Sequence, residues 1–343
     1  MSNIVLGLAT SHSPLLTFGA EMWVERSKDD HNNARLCLAD GRTLTYEELA
    51  LECSNRYADH AQFVNLQAQA ALAQKSLDRL AFDLAAADPE VAIIVGDDQG
   101  ELYGPNSTPA ISVFHGEEIV MHPLSRVRKN LPEWRKIAAR EYLLDAPHRF
   151  PGAPDYGEAI VRHLIARDID VGVCTQVAEP ERAGFGHAYG FIINRLFKGR
   201  SIPVVPVLLN TYYPPNVPRA QRCYDIGRVL CEAIQAAGAP QRVAVIASGG
   251  LSHFVTDETL DRGILAALAQ RDSEALRRLP MQALRSGNSE ILNWILAAGA
   301  LEDLSLTWSE YIPVYRTPAG TGIGLGFASW SAAASTARIS HDH

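Results

Sequence analysis

Cysteine is sparse in this chain of 343 residues, and what there is forms no pattern. Cys37, Cys53, Cys174, Cys223 and Cys231 are an odd number without close Cys-x-x-Cys spacing, which argues against a disulfide framework and against a thiolate zinc cluster. A reducing cytoplasm is the expected compartment. Basic residues are also in deficit: 31 Lys and Arg stand against 39 Asp and Glu, a formal net charge of -8. Binding to nucleic acid or anionic lipid relies on clustered Lys and Arg, so neither partner is expected. Long apolar runs are missing as well. The opening MSNIVLGLATSHSP has no basic n-region, and its apolar stretch is too short for a signal peptide or a membrane span. The Gly-x-Gly-x-Gly near the end follows a strand pattern without opening a helix, so it is not a nucleotide fingerprint. No internal repeat is present.

What the chain does have is a series of short β-branched apolar runs separated by helical patterns. That alternation predicts an α/β fold, one domain over residues 1–330 with a central mixed sheet flanked by helices. The most informative run is RVAVIASGGLSHF, residues 242–254. Val243 to Ala247 reads as a strand buried on both faces, and Ser248-Gly249-Gly250 breaks it where a central strand must end. His253 follows at once. Ligands of open α/β sheets bind beyond the carboxyl ends of the strands, so this imidazole is a catalytic candidate, the alternative being a cap on the helix that starts near Thr256. Ser252 beside it is a candidate substrate contact.

The same arrangement recurs. Ile4 to Ala9 runs into Thr10-Ser11-His12, and Val91 to Val95 runs into Gly96-Asp97-Asp98-Gln99. Two adjacent aspartates at a strand end repel each other, which points to a metal, a substrate hydroxyl, an arginine or a helix cap. Asp98 is a candidate substrate contact on that ground. Val204 to Leu209 leads to Asn210-Thr211-Tyr212-Tyr213-Pro214-Pro215-Asn216, a rigid polar-aromatic loop whose Tyr212 can wall a pocket for a planar substrate. His187 lies between Gly186 and Ala188 ahead of an amphipathic segment, where small neighbours admit a ligand. Glu290 opens an apolar helix, a place where a carboxylate also gains from the helix dipole. Between Thr17 and Tyr57 the strand and helix rhythm fails apart from a capped short helix at Leu44-Thr45-Tyr46-Glu47-Glu48, and this stretch reads as an insertion lying over the site as a lid. Residues 331–343, with His341 and His343, read as a disordered tail.

Taken in order, TSHSP, GDDQ, GHAYGF, NTYYPPN, IASGGLSHF and SGNSEILNW resemble the class III extradiol ring-cleavage dioxygenases, in particular the 3-O-methylgallate type related to the catalytic β subunit of protocatechuate 4,5-dioxygenase. The likeness runs over roughly residues 3 to 330. It implies the fold of those catalytic subunits and a non-haem Fe(II) that opens a catecholic or gallate-type aromatic acid with O2. It further implies His12 as the first metal ligand, Glu290 as the carboxylate ligand, His253 as the acid-base residue and His187 as a hydrogen-bond donor to bound oxygen or substrate. The family's second histidine ligand is replaced by Gln99, so an amide oxygen, Asp98, His60 or His115 is left as the source of the third donor. Two other readings remain: a metal-poor binding protein on the same fold, and a metal-dependent hydrolase using His12, Asp98 and Glu290. A homodimer without a separate α subunit is expected, because the insertion can cover the site within one chain.

Overall fold

The computed structural model describes residues 3–123, 130–180 and 182–332. The expected tail, apart from residues 331 and 332, lies outside them. Among the described residues thirteen strands run β1 (Asn3–Thr10), β2 (Leu36–Cys37), β3 (Thr43–Leu44), β4 (Val91–Asp97), β5 (Ile111–Phe114), β6 (Glu118–Val120), β7 (Arg149–Pro151), β8 (Gly172–Cys174), β9 (Val204–Leu209), β10 (Arg242–Ser248), β11 (His253–Val255), β12 (Ser305–Tyr315) and β13 (Thr321–Ser331). Ten α-helices accompany them among the same residues: α1 (Ala20–Asp30), α2 (Tyr46–Cys53), α3 (Phe63–Ala87), α4 (Glu133–Glu141), α5 (Pro154–Ala166), α6 (His187–Arg195), α7 (Ala220–Ala236), α8 (Glu258–Gln270), α9 (Ser273–Arg277) and α10 (Ile291–Ala300).

Nine strands form one mixed sheet in the order β11-β13-β1-β10-β4-β9-β5-β8, with β12 pairing β13 beside that path. The four central strands β1, β10, β4 and β9 are parallel, so their carboxyl ends lie along one edge. Every residue of β4 and β9 is buried. Their side chains alternate between two cores: Val91, Ile93 and Val95 pack with α5, α7, α8 and α10 on one face, while Ala92 and Ile94 pack with α3, α4 and α6 on the other. This is the period of two expected for a strand covered on both faces, and it explains why these runs are continuously apolar in the sequence. The single α/β domain with a large mixed sheet is therefore as the sequence leads one to expect.

Helix α10 delivers Glu290 to the sheet edge, and its placement rests on a backbone-to-backbone approach. A methyl at Gly227 of α7 would stand 2.0 Å from the Leu296 carbonyl oxygen, and one at Gly299 of α10 would stand 2.2 Å from the Tyr224 carbonyl oxygen. Only glycine admits that approach at both points.

The stretch from Thr17 to Tyr57 is structured, which corrects the reading of a segment without rhythm. Helix α1 is anchored by Trp23, fully buried, whose indole N–H donates to the Leu15 carbonyl at 2.7 Å. Helix α2 starts with a capping box in which Thr45 and Glu48 satisfy each other's backbone N–H groups. All five cysteines are free thiols, and among the described residues no helix is long and apolar enough to cross a membrane.

Candidate active site

The carboxyl ends of β1, β10, β4 and β9, the start of α6 and the short 3-10 turn Ser286–Glu290 converge on one cavity of about 480 Å³. His12, Gln99, His187, Tyr212, His253 and Glu290 all line it. His12 is 2% exposed and sits just past β1, held by the Tyr142 hydroxyl, which donates to its carbonyl at 2.6 Å. Its Nδ1 lies 3.0 Å from Ser248 Oγ, and that hydroxyl donates to the Ala188 carbonyl at 2.6 Å. Ser248 has therefore spent its proton, so Nδ1–H must be the donor and Nε2 is left facing the carboxylates. Nε2 is buried without a hydrogen-bond partner, 3.1 Å from Glu290 Oε2 and 3.9 Å from Asp97 Oδ1.

A lone pair aimed at two buried carboxylates is repulsive unless a cation or a proton lies among them. Glu290 is held ionised: burial pushes its pKa up, but His253, His12 and the Gly250 amide outweigh this and bring it far below the usual carboxylate range. Its Oε1 accepts from the Tyr212 hydroxyl at 2.6 Å, and its Oε2 accepts from the Gly250 N–H at 2.7 Å. Asp97 is pushed upward, first by burial and then by the charge of Glu290. The donor atoms of His12, Asp97 and His187 lie within 4.8 Å of one another. An orphaned imidazole nitrogen among buried carboxylates fits a divalent metal with nitrogen and oxygen ligands.

Gln99 Nε2 donates to Asp97 Oδ2 at 3.0 Å and to Glu290 Oε1 at 3.4 Å, so the amide stands between the two carboxylates. Asp97 is the residue that sequence reasoning passed over. The aspartate doublet flagged the strand end, but only the register decides which of the two turns toward His12. Asp98 faces away from it: its carboxylate accepts from the backbone N–H groups of Gly100, Leu102 and Tyr103 at 3.2, 2.7 and 3.1 Å. Burial, with Glu101 second, pushes its pKa up to about 7. Asp98 therefore shapes the loop that carries Gln99, and the expectation of a substrate contact gives way to that role.

Ser252 is likewise turned away. Its N–H and hydroxyl both donate to Asp261, at 2.8 and 2.6 Å, and the Tyr311 hydroxyl donates to the same carboxylate at 2.7 Å. This network holds the loop that presents His253. Asp261→Ala leaves three buried or half-buried donors without an acceptor and is expected to cost about 3 kcal/mol or more. Denaturant unfolding checks this; a change within about 0.5 kcal/mol, the range of an ordinary surface substitution, would show the network to be idle.

His253 is clasped between two glycines. A methyl at Gly250 would lie 2.0 Å from its Cε1, and one at Gly287 would lie 2.3 Å from its Cβ. The ring's Nδ1–H donates to the Leu251 carbonyl at 2.9 Å, so Nε2 is the basic atom, 3.4 Å from Glu290 Oε2. His187 begins α6 and pairs through Nδ1 with Glu101 Oε1 at 2.8 Å. Burial alone would lower its pKa, but Glu101 overrides this and the group is pushed up to about 9. At neutral pH it presents a protonated Nε2 to the cavity. Glu101 had no signal in the sequence, because it lies in an irregular loop and acts only through His187. His60 and His115 do not line the cavity, whereas His122 does.

Comparison with known proteins gives a family and one relative. A family model described as the catalytic LigB subunit of aromatic ring-opening dioxygenase matches residues 73–326, a span that takes in Gln99, His187, Tyr212, His253 and Glu290 and leaves out His12. Gallate dioxygenase of Pseudomonas putida is 29% identical over 133 residues, 36% of this chain and 38% of that relative. The chain thus spans well under half the length of the curated relative it matches.

Proposed function

Because the chain belongs to the family of catalytic LigB subunits of aromatic ring-opening dioxygenases, we propose that it opens the ring of a catecholic or gallate-type aromatic acid, 3-O-methylgallate-like, by extradiol cleavage with O2, using non-haem Fe(II). The observation that carries this reading is His12 Nε2, buried without a partner and aimed at Glu290 and Asp97. His12, Glu290 and the amide oxygen of Gln99 would hold the iron. Asp97 would orient Gln99 from behind, as outer partners of metal ligands do. Bound iron would supply open positions for the vicinal oxygens of the substrate and for dioxygen.

The remaining work falls to this chain's own side chains. His253 Nε2 takes a proton from a ring hydroxyl and returns it later, the general acid-base role of an imidazole. His187, protonated through its pair with Glu101, donates a hydrogen bond to negative charge that develops beside it. Tyr212 holds Glu290 in place and closes one wall. Helix α1 and the residues after it serve as a built-in cover, since Arg26 already lines the cavity. On that ground a cytoplasmic homodimer without an α subunit is the proposed state.

Oxygen uptake on mixing with gallate under Fe(II) tests the reading. Uptake with Fe(II) and none with Zn(II) is expected; hydrolytic turnover retained with zinc would replace it by a hydrolase. The third ligand has its own test. Gln99→Ala is expected to weaken metal affinity about 10- to 100-fold, whereas Asp98→Ala destabilises the loop and keeps the metal. A metal titration giving the reverse order would exchange the two roles.

A further inference from the structure

The residue after His253 has an unusual backbone. Phe254 has a φ of 64°, in the left-handed region, although it lies inside strand β11. Other side chains with a positive φ, Ser54, Asp88 and Arg271 among them, close helices, where that angle ends the last turn. Phe254 closes no helix. A bulky residue is held in this region at a cost, and glycine would turn the chain there freely. Side chains kept at such angles gather at active sites and ligand clamps.

The angle decides where the phenyl ring goes. Neighbouring side chains of a regular strand point to opposite faces, yet His253 and Phe254 line the same cavity, with ring centroids 6.1 Å apart and ring planes at 57°. His253 does not depend on this turn for its own placement, since its backbone N–H donates to Asn288 and its Nδ1–H to the Leu251 carbonyl. Phe254 also packs against a small separate core of Leu36 from β2, Leu49 from α2 and Ala319 between β12 and β13, none more than 2% exposed. Two of these three belong to the Thr17 to Tyr57 stretch, which therefore backs a wall of the cavity.

We infer that Phe254 packs against the ring of the aromatic substrate and sets where its hydroxyl stands relative to His253 Nε2, with Leu36 and Leu49 fixing the phenyl ring from behind. A ring hydroxyl hydrogen-bonded to Nε2 puts the substrate's ring roughly 6 Å from the imidazole centroid, the distance at which Phe254 stands on the same cavity. Aromatic pairs attract at separations of about 4.5–7 Å, which two rings so placed can reach. The inference rests on the ring-opening reading for the identity of the ligand, but the packing is measured without turnover.

Gallate binding is followed by calorimetry on the full chain loaded with Fe(II) and kept free of oxygen. Phe254→Leu keeps apolar bulk against Leu36 and Leu49 and removes the ring; it is expected to weaken gallate about tenfold, the scale of one aromatic pair, with iron content unchanged. Phe254→Tyr keeps the ring and should bind gallate within a few-fold of wild type. A phenylalanine that served the small core alone would show the reverse, leucine being accepted and tyrosine burying a hydroxyl without a partner. If Phe254→Leu does not fold, Phe254→Gly, which takes the backbone angle without strain, reads the same loss. Gallate bound as tightly by the folded leucine or glycine variant as by the wild type, an equal loss in leucine and tyrosine, or no binding by the wild type overturns the inference. Oxygen uptake judges the ring-opening reading separately: the expected loss of binding in a chain that takes up no oxygen with gallate leaves Phe254 as a wall for an aromatic ring and overturns the reaction.

Discussion

Glu290→Ala is expected to yield a folded protein whose iron content falls below about one tenth of wild type and whose oxygen uptake on gallate is at background. Even an outer partner of a metal ligand changes affinity by 10- to 100-fold, and Glu290 is the group most firmly ionised in the site. The substitution removes the anion nearest to His12 Nε2 and strands the Tyr212 hydroxyl and the Gly250 N–H, at about 1–3 kcal/mol for each buried donor. Glu290→Gln separates charge from shape. It keeps an acceptor in roughly the same place and should still lose iron, because a neutral amide does not balance a divalent cation as a carboxylate does. Iron equal to wild type in the alanine variant would remove Glu290 from the ligand set.

His253→Ala should keep its iron and lose about 10²-fold or more in rate, the usual scale of general acid-base catalysis. Its Nδ1 is committed to the Leu251 carbonyl, and its Nε2 faces Glu290 at 3.4 Å from the cavity side. The loop is held without the ring: the His253 backbone N–H donates to Asn288 Oδ1 at 2.6 Å, and Ser252 is fixed by Asp261. The loss should therefore appear in turnover, with little change in metal content. Stability, iron and oxygen uptake measured on one preparation decide the matter. A rate per iron-loaded molecule within a few-fold of wild type would take His253 out of the mechanism.

The fold was legible wherever a strand is buried on both faces. The runs at β4 and β10 are bounded in the sequence by Gly, Pro or Asp within a residue or two of their ends in the structure, and β9 by Pro203 before it and Asn210 after it. That His12, Gln99, His187, Tyr212, His253 and Glu290 share one cavity was legible for the same reason, since each follows such a run or starts a helix beside one. Helix α1 was not. Its sequence AEMWVERSKDD is mostly polar, and what fixes it is tertiary: one buried tryptophan and an aspartate shared with Arg316, nearly 300 positions away in the chain. Asp98 and Ser252 were misread because a strand-end position shows which residues are near a site but not which way each points. Loop hydrogen bonds decide that, and they leave no periodicity.

The position of β1 in the sheet has a consequence for how the protein matures. The first strand of the chain lies between β10 and β13, and Ser11 exchanges backbone and side-chain hydrogen bonds with Gly326. His12 thus meets Glu290 only after 278 further residues have been added, and contacts of such sequence separation form slowly. Nascent and truncated chains carry the imidazole but lack the pocket that orients it. A metal held between His12 and Glu290 would therefore be acquired late, once the whole chain has reached its native topology.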